Sequence, residues 1–335
     1  MDPLTQGALG AALPQATRKK SHVRIAGALG FLSGMAADLD VLLRSSTDPL
    51  LFLEYHRQFT HSLAFIPVGG VLSALALHWI LGRRWKLRLR KTALFCTLGY
   101  ATHALLDAAT SYGTMLLWPF SDERFAWKIV SVVDPLFSLP LAALVVISAL
   151  RRKPVFARCA LVWAGLYLAL GVVQQRTALE MARDIAQGRG HAPVRLEVKP
   201  SFGNILVWKT LYEADGRYYV DAVRAGAAPR VYEGASVPVL DLARDLPWLE
   251  PQSQQARDIE RFRRFSDGYI SQGPANSNSI IDVRYSLIPN EVAALWSVEI
   301  DRYAAQTDHA RFNTHRENAS RRLPALWNMI FGDGG

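Results

Sequence analysis

Cysteine is almost absent. The chain has 335 residues and two cysteines, Cys96 and Cys159, both inside apolar runs. That excludes a disulfide framework and a cysteine-based zinc knuckle. The start, "MDPLTQGALGAALPQA", lacks a basic region ahead of its apolar part. This argues against a cleavable secretory leader and leaves the membrane segments as their own targeting signal. Internal repeats, low-complexity tracts, nucleic-acid-binding motifs and a basic stripe with interleaved aromatics are all missing, so the formal charge of +9 does not read as nucleic-acid binding. Acids are absent from three basic stretches that together outnumber that net charge. The first holds Arg18, Lys19, Lys20 and Arg24, the second Arg83, Arg84, Lys86, Arg88, Arg90 and Lys91, and the third Arg151, Arg152, Lys153 and Arg158. Each lies between apolar runs, as the cytoplasmic loops of membrane proteins do.

What is present is apolar sequence in the first half. Ser62–Leu81, "SLAFIPVGGVLSALALHWIL", has no acid, lysine or arginine and is long enough to cross a bilayer core of ~30 Å as a helix. Thr92–Gly113, broken by His103 and Asp107, Val133–Leu150 and Cys159–Gln175 are further candidates. Ile25–Leu43 is interrupted at its far end by Asp38 and Asp40, and Leu4–Ala16 is too short to span. The reading is a helical integral membrane bundle of about five transmembrane helices plus a short N-terminal helix. If all three basic stretches are cytoplasmic, two crossings separate each from the next. Residues 44–61 and 114–132 then lie outside, and so does everything after the last crossing.

The second half reads as a soluble α+β domain. Residues 195–225 alternate as strands do, "LYEADGRYYVDAV" carries an Asp215-Gly216 hairpin signal, and "SIIDVRYSLI" and "ALWSVEIDRYA" extend a mainly antiparallel pattern. Residues 254–265 read as a short basic helix. The expected division is a membrane domain over 1–175 and an extracytoplasmic domain over 176–335.

Chemistry-bearing residues gather at one end of this map. His103 and Asp107 are four apart, on one helix face. An ionisable group in mid-membrane costs roughly 2.5–3.5 kcal/mol, so it normally has a partner or a wet site. Asp38 and Asp40 would point ~160° apart on an α-helix, so to share a site their backbone must be extended or turning. His56 and His61, five apart, suit a loop followed by the first turns of a helix. Arg57 offers a forked donor for a phosphate or carboxylate, and Thr60 is a candidate N-cap. Imidazole and carboxylate without thiolate suit zinc first, with manganese and iron fitting the same donors. The six candidate ligands, Asp38, Asp40, His56, His61, His103 and Asp107, exceed one tetrahedral ion and suit a two-metal site with water as nucleophile. Asp134 is the candidate proton carrier. His22 belongs to a basic stretch, His78 lies near the opposite helix end, and His191, His309 and His315 read as surface residues.

The series "DPLTQGALGAA", "AADLD", "HRQFTHS", "HALLDAATSYGT", "WPFSDERFAW" and "VDPLF" resembles the YdjM-type family of membrane-bound metal-dependent hydrolases. The later "GNILVWKTLYEADGRYYV" and "DVRYSLIP" resemble the C-terminal half of its longer members. The resemblance implies a bacterial inner-membrane protein with hydrolase activity. The motif matches are Asp38, Asp40, His56, Arg57, Thr60, His61, Ser62, His103 and Asp107. The chain departs at Gln6, where the family can show a histidine. It departs also at Ala37 and Val41, which flank the acids in place of Pro and His, and at Gln58, which replaces a frequent glycine. The HxxxD element is also similar to one in zinc-dependent phospholipase C and related nucleases, which favours a phosphoester. The expected function is hydrolysis of an ester or phosphoester, with membrane lipids as surroundings and a lipid or cell-envelope component as substrate. The alternative is a non-enzymatic scaffold or ion path in which the same residues tie helices together.

Overall fold

A computed structural model describes residues 1–17, 20–226, 228–274, 278–316 and 319–332. Arg18 and Lys19 of the first basic stretch lie outside the described residues. The chain forms two compact units. One comprises Met1–Leu42, Tyr55–Val173 and Phe202–Asn204, and the other Leu43–Glu54, Gln174–Ser201 and Ile205–Gly335.

The first unit is helical. Asp2 caps α1 (Pro3–Ala16) by accepting from Thr5 N, with Pro3 in the first turn where its missing N–H is no loss. Helix α2 (Val23–Gly34) runs into a 3-10 segment, Ala36–Leu42. After α3 (Leu51–Tyr55), which belongs to the other unit except for its last residue, come 3-10 turns at Phe59–His61 and Leu63–Phe65 and then α4 (Ile66–Leu77). The N-cap of the Leu63–Phe65 turn is Ser62, which accepts from Phe65 N, and not Thr60 as expected. A π-helical turn, His78–Gly82, finishes the run, and His78 Nδ1 lies 3.0 Å from Thr92 Oγ1. Helices α5 (Leu89–Ala109), α6 (Pro135–Arg151) and α7 (Pro154–Gly188) follow.

Among the described residues three helical stretches are long and apolar enough to cross a membrane: Val23–Leu42, Leu63–Gly82 and Pro154–Gly188. Pro135–Arg151 is apolar but shorter. Helix α5 is not among them, because its threonines, Tyr100, His103 and Asp107 dilute its apolar character.

Small residues let α1, α2 and α5 approach closely. A Cβ on Gly30 would sit 2.3 Å from Gly10 O, and one on Gly99 would sit 2.4 Å from Gly30 O. Between helices in lipid there is no hydrophobic drive, so packing depends on such close backbone approach. Below it Ala26, Leu29, Ala74, Phe95 and Cys96 form an apolar core. The basic stretches meet at one end of this unit. Arg24 donates to Ala149 O and Leu150 O at the end of α6, Arg158 donates to Ala16 O, and Lys91 Nζ lies 3.5 Å from His22 Nε2. Asp107 is near the other end of α5, which at 1.5 Å per residue is about 30 Å long.

The second unit holds two four-stranded antiparallel sheets, each in sequence order. Strands β1 (Arg195–Pro200), β2 (Val207–Ala214), β3 (Arg217–Arg224) and β4 (Arg230–Pro238) form one. After α8 (Leu242–Asp245) and α9 (Gln254–Phe265), strands β5 (Ile270–Gln272), β6 (Ser279–Asp282), β7 (Trp296–Glu299) and β8 (Arg311–Thr314) form the other, before α10 (Ala319–Phe331). Asp215 and Gly216 both take positive φ, 49° and 68°, as a tight β2–β3 hairpin requires. Leu211, Tyr218 and Val220 pack on Tyr269, Ile281 and Val283. His191 lies tilted against the Tyr219 ring, His309 pairs with Asp258 and the exposed His315 lies within hydrogen-bond distance of Ser297, so the three sit at or near the domain's surface with partners of their own.

Two outcomes follow from this packing. Gly30→Ala must push against backbone, so it is expected to lower stability by about 1–3 kcal/mol, read as an earlier unfolding midpoint in detergent. Gly165→Ala, with nothing within 4 Å, leaves the midpoint unchanged or slightly raised. The second concerns Lys209, which donates to Ser286 Oγ and Glu291 O and lies opposite Lys199 in the β1–β2 register. Burial pushes the Lys209 ammonium down to about 7 and Lys199 well below its usual range. Above pH 7 the unfolded chain then holds protons that the folded one has released, so stability rises from pH 7 toward about 10. Lys209→Met is expected to flatten that rise in urea midpoints, in part only, because Lys199 acts in the same direction.

Candidate metal centre

Four side chains converge where the 3-10 segments meet the end of α5. Asp38 comes from the 3-10 turn after α2, His61 from the turn before α4, and His103 and Asp107 from successive turns of α5. Their donor atoms all lie within 4.8 Å of one another. His61 Nε2 is 2.9 Å from His103 Nε2. Asp107 Oδ2 is 3.2 Å from the first ring and 3.6 Å from the second, and Asp38 Oδ1 is 3.5 and 3.4 Å away. Three of the four are fully buried and Asp38 keeps 19% of its side chain exposed.

The ring orientations show what these atoms are prepared for. His103 Nδ1 is 2.6 Å from the Gly34 carbonyl, which can only accept, so that nitrogen carries the proton. His61 Nδ1 faces Asp40 Oδ2 at 3.2 Å, while Thr60 Oγ1 donates to the same carboxylate. In the neutral rings both Nε2 atoms therefore present lone pairs to the same point, joined there by two carboxylates. Four Lewis bases turned to one point are a set that a cation would complete. A tetrahedral ion with arms of ~2.0–2.2 Å has donor–donor edges of roughly 3.3–3.6 Å. Five of the six donor–donor separations, at 2.9–3.6 Å, span that range. Asp107 Oδ2 is also buried without a hydrogen bond among the described residues. The donor set fits a divalent metal.

A second layer stands behind the donors. Asp40, buried, receives His56 Nδ1 at 2.7 Å, the Arg57 amide at 3.0 Å and Thr60 Oγ1 at 2.7 Å, as well as His61. Gln6 Nε2 and the Met1 amino group both donate to Asp107 Oδ1. Arg57 Nε lies 3.2 Å from Asp107 Oδ2, and Arg57 Nη1 donates to Thr110 Oγ1. Arg57 adopts a positive φ of 63°, an uncommon backbone state for a side chain of this size. Tyr100 donates to Thr60 O and fixes the turn that carries His61.

The six expected ligands are thus divided. Asp38, His61, His103 and Asp107 form one four-donor cluster. Asp40 and His56 are set one layer back, with Asp40 buffering His61 and His56 one-third exposed beyond it. The 3-10 backbone of Ala36–Leu42 brings both acids to the site from different sides, the turning arrangement that their spacing required. Asp134 is placed elsewhere. It caps α6 at Phe137 N and accepts the Tyr167 hydroxyl at 2.9 Å on both oxygens. Gln6, read in the sequence as a lost ligand, is a support for Asp107. The Gly34 carbonyl had no sequence signal, because a backbone acceptor carries none.

A family model described as "YdjM inner membrane protein" matches residues 1–178. The chain is similar to "Inner membrane protein YbcI" of Escherichia coli (strain K12), with 37% identity over 108 residues. That match covers 31% of this chain and 60% of the relative, so the chain spans less than two thirds of the relative's length. No solved structure matches.

Elemental analysis of detergent-purified protein checks the centre. Wild type is expected to carry about one tightly held divalent ion, as a four-donor site does, and His61→Ala and Asp107→Asn to lose it. Asp40→Asn keeps all four donors and is expected to weaken affinity by about 10–100-fold. Equal metal content in all four proteins would show that the cluster is not a metal site.

Proposed function

The chain belongs to the YdjM inner membrane protein family, and from that premise we propose that it is a metal-dependent hydrolase of an ester or phosphoester at the outer face of the membrane. Zinc is the metal favoured by two imidazoles and two carboxylates in a four-donor set. The observation that carries the reading is the pair of histidines turned Nε2 to Nε2 beside two carboxylates. When bound, the metal would supply Lewis acidity, activating water and polarising the bond to be cleaved.

The chain's own residues do the rest. Asp40 and the Gly34 carbonyl hold the imidazoles in register. Arg57, beside Asp107 and over the Tyr112 ring, would offer its guanidinium to an anionic group of a substrate. Asp134 has no part in this reading. Leu39 and Leu42 are 62% and 73% exposed on the segment that carries Asp38 and Asp40, and Leu63, just past Ser62, is exposed as well. An ester reaching Asp38 would lie among exposed leucines, which favours a lipid-borne substrate.

The basic stretches support the outer face in this reading. They gather at the end of the helices opposite the cluster, and such ends face the cytoplasm. If α5 and α6 also cross, beside the three long apolar stretches, the count is five, and in this reading residues 176–335 form a domain outside the cytoplasm. The apolar core of Ala26, Leu29, Phe95 and Cys96 beneath the cluster argues against an ion path, which needs polar groups across the whole thickness.

Zinc-loaded protein in mixed micelles is expected to release headgroup or fatty acid from short-chain phospholipids. Activity should fall to background in chelator, return with zinc, and be lost in His103→Ala. Cleavage that persists in chelator, or its absence across ester and phosphoester substrates with the metal in place, would leave the scaffold reading.

A further inference from the structure

The segment that joins the two halves of the metal centre belongs by its packing to the C-terminal unit. The chain leaves the membrane unit after Leu42 and returns at Tyr55. Asp38 and Asp40 precede this excursion, and His56 and His61 follow it. Its two ends are drawn together where Asp40 Oδ2 accepts the Arg57 amide at 3.0 Å, so residues 41–56 form a closed loop of the Ω type.

The body of that loop is gripped by Arg261 of α9. The guanidinium meets Asp48 through Nη1 at 2.9 Å and Nη2 at 2.8 Å, and Glu54 through Nε at 2.6 Å. Asp258, one turn earlier on α9, receives Nη1 at 3.0 Å and His309 Nδ1 at 2.9 Å, which holds the fork in place. Phe52 packs edge-on against Phe312 of β8 at 5.1 Å, and Leu50 and Leu53 are buried. One cation thus binds both ends of the loop's second half, and its planar fork fixes direction as well as distance.

We propose that Arg261 is a positioning residue for the metal centre: by clasping Asp48 and Glu54 it closes the loop whose flanks carry Asp38, Asp40, His56 and His61. The inference rests on the metal reading and assigns the C-terminal unit a part in it. A loop of this length released from its clasp samples many open states, and closing it again opposes ligand alignment with chain entropy. The four donors must converge within a fraction of an ångström, so a small widening at the Asp40–Arg57 junction would reach the metal.

The test uses the full chain in detergent with Co²⁺ alone as probe. Affinity is measured against a chelator and geometry by the visible spectrum. Amide exchange over residues 36–62 is measured in the same proteins. Arg261→Gln is expected to weaken Co²⁺ binding about tenfold or more, the size of effect seen for residues one layer behind a metal. It should also change the spectrum and raise exchange on both flanks of the loop. Arg261→Lys restores part of the affinity, because an ammonium reaches one carboxylate but cannot fork. Asp48→Asn, which leaves Glu54 and Asp258 on Arg261, gives an intermediate loss and serves if the glutamine variant does not fold. Arg195→Gln, which breaks an ion pair with Glu213 away from the loop, leaves the spectrum unchanged. Wild-type affinity and spectrum in both Arg261→Gln and Asp48→Asn, or faster exchange confined to residues 43–54, would overturn the proposal. Failure of wild type to bind Co²⁺ would remove the metal reading itself, and this inference with it.

Discussion

Two imidazole rings at the end of the helical unit face each other because their other nitrogens are already taken. The Gly34 carbonyl holds one and the Asp40 carboxylate the other. Most of the first unit can be understood as what is needed to keep that arrangement in place. Without the two outer partners the rings could turn, exchange tautomers and satisfy each other. With them, the inner nitrogens are committed to a shared point that also receives two carboxylates.

Burial makes this arrangement expensive and therefore informative. Asp40, His61, His103 and Asp107 are almost wholly removed from solvent. Each carboxylate answers the demand with several partners: Asp40 with His56, the Arg57 amide, Thr60 and His61, and Asp107 with donors from Gln6 and Met1 and the charge of the Arg57 guanidinium. Polar groups so placed in a membrane protein are tolerated where they are paired or where a metal completes them. The close approach of α1, α2 and α5 through Gly10, Gly30 and Gly99 serves the same end. It brings the Gly34 carbonyl and Gln6 within reach of α5, which bulkier residues at the crossing would prevent.

The loop between Leu42 and Tyr55 gives the second domain a place in the same argument. Separate domains on one chain usually share only a linker. Here a dozen residues between the two ligand-bearing segments pack with the C-terminal unit, through Arg261 and Phe312. Sequence distance conceals this, since Asp48 and Arg261 are 213 residues apart.

Local pattern carried what depends on local pattern. Apolar runs marked the helices, the Asp215-Gly216 pair marked a hairpin, and spacings of four and of two marked His103 with Asp107 and Asp38 with Asp40 as residues with a common purpose. The sequence also assembled the right segments, because polar residues beside apolar runs are costly and so conspicuous. It could not rank them. Asp38 and Asp40 are chemically identical, and so are His56 and His61. Which of each pair points inward is set by a 3-10 turn, a positive φ at Arg57 and the position of a backbone carbonyl from another helix. Those are tertiary facts. A six-ligand reading therefore became four donors and a supporting layer, and Asp134 became a helix cap, for one physical reason: composition fixes which groups need partners, and only the packed chain decides which partners they find.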